Sequence, residues 1–496
     1  MAPQGIIIGA LREIIVYTIQ KKGAISVKTA HKRREPIDLT QGPCWKVILL
    51  FSLPVILSYL LQQVYSISDA AIVGQTLTAA EVAGVNDTNS LVFIFLQFAF
   101  GVSAGFCVIT SYYVGMHDER GVRRSLATQL LLSAALTVVL TALALVLLDP
   151  MLAWINVTPA HHEVYTAAHA YCAIIFAGIG AQLFYNFICS FLRAMGDSVT
   201  PLLFLLFSTV LNVGLDLAFI LVFRWGVAGA ALATVLAQLV STIGCFIYAF
   251  VRYPVLRLHR EDWRITLMDV KRHLARGIPL GLQFSVLAIG IIVMQGGVVK
   301  FDMRDGVMVS NAAQNGFGAA NRLFNLVATP MNALGGAMTS FTAQNLGAGK
   351  PARLSLGFRT GIKLAEFAAL PFVILYFVFS RGMMGLFLNA ESEEAIHAGM
   401  SFLRIVSPLY FMISIKLMTD GIIRGSGAMA YFVAATVPDL ILRIGFAHLL
   451  TPKFGSTGIW MAWPFGWFAA TALTILFYRK VIENCNYRTE RIKVRK

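Results

Sequence analysis

The sequence predicts an all-α polytopic membrane protein, in which twelve transmembrane helices form two pseudo-symmetric six-helix lobes with both termini in the cytoplasm. Hydrophobic residues make up 57% of the 496-residue chain and charged residues only 13%. This balance is typical of membrane proteins rather than of soluble globular ones. Long apolar runs recur along the chain, and its two halves resemble one another. Together these observations define the class of fold.

Apolar runs of about 20 residues are long enough to cross the hydrocarbon core of a bilayer. Twelve are predicted, near 46–72, 88–112, 126–148, 166–191, 200–223, 227–251, 278–300, 312–340, 356–380, 399–423, 430–450 and 456–478. The loops on one side collect most of the Lys and Arg residues, which places that side in the cytoplasm by the positive-inside rule. The net charge of +15 therefore indicates topology, and no aromatic-interleaved module predicts nucleic-acid binding.

The longest polar connection divides the spans six and six. The predicted regions are a cytoplasmic tail at 1–45, a first lobe at 46–251, a cytoplasmic linker at 252–277, a second lobe at 278–480 and a basic cytoplasmic tail at 481–496. An apolar stretch within residues 1–20 contains Arg12 and Glu13 and has no basic residue before it. This pattern does not predict a signal peptide, and it leaves open an interfacial helix or a start-site artefact.

The two halves share a recurring pattern. Matching segments are 53–63 with 278–288, 191–196 with 422–427, 207–220 with 434–447, and 226–234 with 455–463. The first pair aligns Pro54 with Pro279, and the second aligns Arg193 with Arg424. Six spans in each half give both halves the same orientation. A parallel repeat of this kind is typical of transporters, with the substrate path between the halves.

Carboxylates inside the spans need a partner or a role, because an Asp at the centre of a span costs about 2.5–3.5 kcal/mol on insertion scales. Three have a basic neighbour on the same helix face, namely Glu366 with Lys363, Asp420 with Lys416 and Asp439 with Arg443. These three can be neutralised locally. Asp69 and Asp216 have no basic residue within a helical turn, which favours a functional role for both.

The two unpaired acids are predicted to lie at one depth with other polar groups. At 1.5 Å per residue, Asp69, Asp216 and Thr234 lie roughly 9, 10 and 12 Å inside the outer ends of their spans. Asn212 is one turn before Asp216 on the same face. We predict that these four residues form a cation-coupling site for H+ or Na+. No cofactor and no transition-metal site are predicted.

The second half does not repeat this acidic site. Its equivalent positions are Met294, Asp439, Arg443 and Trp463. We therefore expect the first lobe to bind the coupling ion and the second to complete the substrate chamber. The predicted lining residues are Gln62, Tyr65, Tyr185, Gln283, Met294 and Trp463, and Lys416 with Asp420 is a candidate second ion site.

Several motifs resemble those of the multidrug and toxic compound extrusion (MATE) family of secondary transporters. They are "LPVILSYLLQQVYSISDAAIVG", "GDSVTPLLFLLFSTVLNVGLDLAFILVF", "GVAGAALATVLAQ", "GIPLGLQ" and "TAQNLGAGKPAR", and the resemblance covers nearly the whole chain after about residue 44. It implies rocker-switch alternating access and export of amphipathic, often cationic compounds in exchange for H+ or Na+. The family's cation site maps onto Asp69, Asn212, Asp216 and Thr234. In the predicted mechanism, ion and cationic substrate compete for these carboxylates.

The acid that NorM-like members carry in the seventh span is missing, since Leu287 stands near its place. The chain therefore resembles the DinF-like side of the family. It is predicted to act as a monomer in a prokaryotic cell membrane, with lipid and small amphipathic or cationic compounds as partners. Two alternatives stay open. A lipid-linked oligosaccharide flippase would need a basic cavity, for which Lys416, Arg322 and Arg404 are the candidates; a membrane receptor or enzyme would show no ion-driven flux.

Overall fold

A computed structural model of the protein describes residues 36–304, 307–308, 310–388 and 392–494. The predictions made for residues 1–20 fall outside this part of the chain. The end of the basic C-terminal tail falls outside it as well.

The described residues form a bundle of helices. Sixteen α-helices run in chain order as α1 (Cys44–Thr76), α2 (Ala79–Gly115), α3 (Glu119–Val146), α4 (Leu148–Trp154), α5 (His162–Ala177), α6 (Ile179–Ala194), α7 (Val199–Asp216), α8 (Gly226–Arg252), α9 (Leu267–Val299), α10 (Ala312–Gly347), α11 (Ala352–Val378), α12 (Ser380–Gly385), α13 (Glu393–Val406), α14 (Tyr410–Gly425), α15 (Met429–Phe454) and α16 (Ser456–Val494). A π-helical turn, Leu217–Val222, follows α7 directly. The 3-10 turns are Pro254–Leu256, Arg260–Trp263, Lys300–Asp302 and Ser407–Leu409.

The predicted spans correspond closely to these helices. Within the described residues, ten segments are long and apolar enough to cross a membrane, and α5 with α6, bent by 45°, makes an eleventh. The remaining predicted span, 312–340, lies in α10, a continuous helix of 36 residues that does not meet the same test of composition. Its polar residues Thr329, Asn332 and Ser340 line an internal cavity, which explains its lower hydropathy. A twelfth span stays a prediction.

In the connection between the halves, α9 begins at Leu267, within the predicted linker 252–277. Thr266 caps this helix through a capping box with Asp269, the side-chain pattern that satisfies free N–H groups at a helix start. Asp262 is buried in the connection and pairs with Arg123 of α3 at 3.2 Å. Burial alone would raise the pKa of Asp262, but the His259 backbone N–H and Arg123 together hold it below the ordinary value.

The all-α prediction holds apart from one small hairpin. Strands β1 (Met303–Arg304) and β2 (Val307–Met308) pair antiparallel between α9 and α10. Asp302, just before β1, accepts hydrogen bonds from the backbone N–H groups of Ala313 and Gln314 at 3.0 and 2.8 Å. A carboxylate at this position satisfies free donors in the first turn of α10.

Helices of the two sequence halves meet along α2 and α9. Glycines make this approach close: a Cβ on Gly101 would collide with the backbone of Leu280 and Gly281, and one on Gly105 with the backbone of Arg276. Small residues at helix contacts allow such packing in membranes. The apolar core is divided, with one large aromatic cluster built from α9–α14 and α16 and a mainly aliphatic one from α1–α5 and α8.

Candidate functional site

A cavity of about 510 Å³ lies between helices from both sequence halves. The first half contributes α1, α2 and α6, with residues such as Gln62 and Asn186, and the second contributes α9, α10 and α14, with residues such as Phe284 and Asn332. A smaller cavity of about 80 Å³ adjoins it on the first-half side and shares Tyr59 with it. The larger volume falls within the range of small-molecule binding sites, roughly 300–1,000 Å³.

Arg193 and Arg424 are the charged side chains that line the larger cavity among the described residues. Each is the penultimate residue of its helix, Arg193 in α6 and Arg424 in α14. Each is followed three residues later by a glycine with positive φ, 93° at Gly196 and 78° at Gly427. The structure therefore places the two arginines at equivalent points of the repeat, facing one cavity.

The predicted cation-coupling residues come together on α1, α7 and α8. Asn212 donates a long hydrogen bond of 3.4 Å from Nδ2 to Thr234 Oγ1, and the Tyr65 hydroxyl lies 3.5 Å from the same oxygen. Asp216 and Asn212 are completely buried. The carboxyl groups of Asp69 and Asp216 lie within hydrogen-bonding range of each other, a bond that needs a proton on one of them.

This cluster has buried acceptors without donors. Asn212 Oδ1 and both carboxylate oxygens of Asp216 are buried and receive no hydrogen bond from the described residues. Burying a polar atom without a hydrogen-bond partner costs free energy, so such atoms normally have a partner from the protein, from water or from a ligand. A proton shared by the two acids or a hard monovalent cation held by these oxygens would do so. The residues present therefore fit either coupling ion.

The local backbone at Asp216 is unusual. Asp216 ends the α-helical part of α7, and the π turn Leu217–Val222 begins at the next residue. Two bonds close this region, from Phe223 N–H to Ala218 O and from Trp225 N–H to Phe219 O, both 2.9 Å. Short π-helical segments are frequent at functional sites. This feature has no counterpart in α15, which continues as an α-helix through the equivalent stretch.

The predicted lining residues divide into two groups. Gln62 lines both cavities, and Tyr65 and Tyr185 line the smaller one. Gln283, Met294 and Trp463 line neither cavity, so the structure does not place them as predicted. They are buried, with exposed fractions of 6–7%. Met294 and Trp463 instead belong to the large aromatic cluster of the second half.

The four cation-coupling residues line neither cavity either. Tyr65, which lines the smaller cavity, approaches this cluster, with its hydroxyl 3.5 Å from Thr234 Oγ1. Direct competition between ion and substrate for these carboxylates stays a prediction.

The equivalent place in the second half is filled by a structural ion pair. Arg443 donates two hydrogen bonds of 2.8 Å to Asp439, and its guanidinium stacks over Trp463 at 4.8 Å. Lys416 and Asp420 form a second buried pair at 2.7 Å. Both pairs agree with the sequence prediction. The third predicted pair, Glu366 with Lys363, is not formed in the described structure, where these side chains have no ion pair.

The bundle is closed at the end where α2 and α10 finish. Gly115 of α2 packs against the backbone of Gln344, and Gly347 of α10 packs against that of Tyr112. The Gln344 side chain links the halves: its amide donates to Ala194 O at 2.8 Å and its carbonyl accepts from Leu39 N–H at 3.2 Å. These contacts seal the path between the halves at this end.

Sequence reasoning missed two features of the site. Tyr171 of α5 is buried within electrostatic range of Asp69 and Asp216, and nothing in its local sequence separates it from an ordinary core tyrosine. The two arginines of the cavity had been aligned by the repeat but not placed in the chamber. The repeat gave their equivalent positions, and only the structure shows that both face the cavity.

A bundle of apolar helices around a central cavity, with two intramembrane acids that have no basic partner, defines a multi-pass membrane transporter. The profile of the MatE family matches residues 54–218 and 301–449, more than half of the chain and a part of each half. The chain belongs to this family, which comprises transporters and not enzymes.

Curated relatives agree with this assignment, and a solved structure shows the same fold. The chain is 29% identical over 447 residues to the probable multidrug resistance protein YpnP of Bacillus subtilis, covering 89% of this chain and 96% of that protein. It is 27% identical to the probable multidrug resistance protein YoeA of the same organism, covering 88% and 94%. A structure described as the outward-facing conformation of a multidrug resistance MATE transporter superposes with a TM-score of 0.82 at 23% identity, covering 92% of this chain and all of that one.

Proposed function

We propose that the protein is a secondary antiporter that exports amphipathic, drug-like compounds in exchange for H+ or Na+, with Asp69, Asn212, Asp216 and Thr234 as the coupling site. The observation that carries the proposal is the unsatisfied state of Asp216, whose two carboxylate oxygens are buried without a donor. An ion that binds there neutralises a buried charge and ties α1 to α7.

We propose that α1 transmits the effect of ion binding to the substrate cavity. This helix carries Asp69, and one turn away its Tyr65 and Ser66 line the cavities. Neutralising Asp69 and Asp216 removes the repulsion between them and favours one packing of α1 against α7. An ion shifts a conformational equilibrium only by its difference in affinity for the two states. Movement of α1 then changes the substrate cavity, so ion and substrate affect each other without sharing ligands.

Pro54 supports a moving α1. It lies inside the helix, where proline removes a backbone hydrogen bond and weakens the helix. The Ser58 hydroxyl donates to the Pro54 carbonyl at 2.8 Å. The proline separates the outer part of α1, which carries Asp69, from the part that begins at Cys44.

The sealed end of the bundle is proposed to be the cytoplasmic one. The positive-inside pattern places the N-terminal tail and the linker there, and Leu39 takes part in the seal. The structure would then represent an outward-facing state. Two lobes, 46–251 and 278–480, are proposed as the bodies that rock against each other, in a protein acting as a monomer in a prokaryotic cell membrane. The absence of a seventh-span acid at Leu287 supports a DinF-like assignment.

Substrate uptake by everted membrane vesicles tests the proposal, because export from the cytoplasm becomes uptake when the cytoplasmic face is outside. An imposed pH gradient and, separately, a Na+ gradient are expected to drive loading of a fluorescent substrate into vesicles that contain the wild-type protein. One of the two gradients should work, which identifies the coupling ion. Asp69→Asn should abolish the response while the amount of protein in the membrane stays the same.

A matched control is Glu366→Gln. Glu366 lies in α11 and has no ion pair among the described residues, so its replacement also removes one intramembrane carboxylate. Gradient-driven loading should be retained in this variant. Wild-type flux that ignores both gradients, or Asp69→Asn with full coupled flux, would contradict the proposed function.

A further inference from the structure

We propose that the cavity between the two halves selects amphipathic organic anions, held by Arg193 and Arg424, rather than cations. The inference rests on the proposed transport function and specifies its substrate class. It starts from the charges at the cavity wall. Both arginines line the cavity, and no Asp or Glu does so among the described residues. The carboxylates predicted to attract a cationic substrate, Asp69 and Asp216, do not line this cavity.

Neither arginine has a carboxylate partner in the described structure. Arg193 donates from Nη2 to Ser190 Oγ at 3.2 Å. Arg424 lies over the ring of Phe432 at 5.3 Å, and its Nε is buried without an acceptor. Asp420, one turn before Arg424, attracts it electrostatically, but that carboxylate already accepts a hydrogen bond of 2.7 Å from Lys416.

Two other basic side chains inside this protein have a structural role, and each is paired with a carboxylate. Arg443 is held by two hydrogen bonds to Asp439, and Lys416 is held by Asp420. Charges in a membrane interior are normally paired in this way. Arg193 and Arg424 have no such partner at two equivalent points of the repeat, where each lies at the end of its helix and lines the same cavity. Guanidinium groups without a carboxylate partner are available in this cavity to a ligand that carries a negative charge.

The other residues that line the cavity indicate the chemistry of the uncharged part of the ligand. Aromatic side chains such as Phe93, Phe100 and Phe284 offer flat apolar surfaces, and amides such as Gln97 and Gln182 offer neutral hydrogen bonds. Guanidinium groups match the planar oxyanion geometry of carboxylates and phosphates. The fitting ligand therefore has a carboxylate or phosphate group on a compact aromatic or apolar body.

The test compares two dyes built on the same xanthene ring with opposite charge, anionic fluorescein and cationic rhodamine 123. Binding to purified wild-type protein is measured by fluorescence polarisation, and gradient-driven transport of both dyes is measured in proteoliposomes. We expect fluorescein to bind at least tenfold more tightly than rhodamine 123. Competition by 1-naphthoate and by 1-naphthyl phosphate, which share one ring system, shows whether carboxylate or phosphate is preferred.

Variants then assign the effect to the arginines. Arg193→Gln and Arg424→Gln should each weaken fluorescein binding about tenfold or more, as expected for loss of a charge-assisted hydrogen bond, and leave rhodamine binding unchanged or tighter. Arg359→Gln is the matched control, because Arg359 is exposed on α11, and it should bind fluorescein like the wild type. Equal weakening in all three variants would overturn the assignment to the cavity.

The outcomes separate this proposal from the function on which it rests. Coupled transport of rhodamine 123 without fluorescein binding overturns the anion preference and leaves the antiporter proposal standing. Fluorescein binding without gradient-driven flux supports the anion preference and contradicts the antiporter. The comparison of fluorescein with rhodamine 123 uses the wild-type protein. The anion preference can therefore be refuted even if an arginine variant fails to fold.

Discussion

Replacing Asp216 with Asn is expected to uncouple transport from the ion gradient without unfolding the protein. Asn has nearly the same shape as Asp, so the packing of α7 is kept. The change removes a buried negative charge whose oxygens receive no hydrogen bond from the described residues. The new amide can donate to Asp69, which lies within hydrogen-bonding range. The melting temperature should therefore equal that of the wild type or exceed it.

The expected loss of ion affinity is large. A unit charge 4 Å from a monovalent cation contributes about 4 kcal/mol at an effective dielectric constant of about 20. Every 1.4 kcal/mol is a factor of ten in affinity, so removing the charge should weaken ion binding on the order of 10³-fold. An ion bound so weakly no longer responds to the gradients that a cell maintains.

The assay is gradient-driven efflux in proteoliposomes, normalised to the amount of folded protein and paired with a melting curve. Asp439→Asn is the matched control, because Asp439 is an equally buried Asp on the equivalent helix α15. It leaves Arg443 without its partner, which should cost about 3–5 kcal/mol of stability, while each folded molecule keeps its coupling. Full coupled efflux by Asp216→Asn would refute the reasoning, as would a loss of coupling by Asp439→Asn in folded protein.

Three further variants test other parts of the account. Asp420→Asn should lower expression and the melting temperature more than coupling, because it leaves Lys416 buried without its 2.7 Å partner; normal expression with lost transport would instead make this pair an ion site. Gly115→Val should hold the sealed end open, since its Cβ would collide with the facing backbone of α10. Spin-label distances between α2 and α10 should lengthen there but not in Gly318→Val, where the added side chain meets open space. Pro54→Ala should slow efflux several-fold at unchanged or higher melting temperature, because it restores a backbone hydrogen bond in α1; an unchanged rate would exclude a moving proline kink.

The helices could be predicted from the sequence because the membrane imposes a simple rule on length and apolar composition. The rule becomes less reliable where function requires polar residues, as in α10, whose cavity-lining side chains lower its hydropathy. Helix spacing and depth also predicted that Asp69, Asn212, Asp216 and Thr234 lie close together. The prediction was possible because depth in the membrane can be counted along each of the three helices from its outer end.

Side-chain direction was harder to predict. The repeat assigned Met294 and Trp463 to the chamber, but their helices turn these residues into the aromatic core, where Arg443 stacks on the Trp463 ring. The same repeat aligned Arg193 with Arg424 without indicating that both face the cavity. Depth along a helix follows from residue number, whereas rotation about its axis depends on packing against neighbours.

The central claim is that one coupling ion binds between Asp69 and Asp216, and counting bound ions tests it most directly. Proton uptake by purified protein, followed with a pH indicator, and binding of radioactive Na+ can be measured on the same preparation. We predict one ion per molecule for the wild type, by one of the two methods, and none for the double variant Asp69→Asn, Asp216→Asn. The same stoichiometry in both proteins would contradict the account.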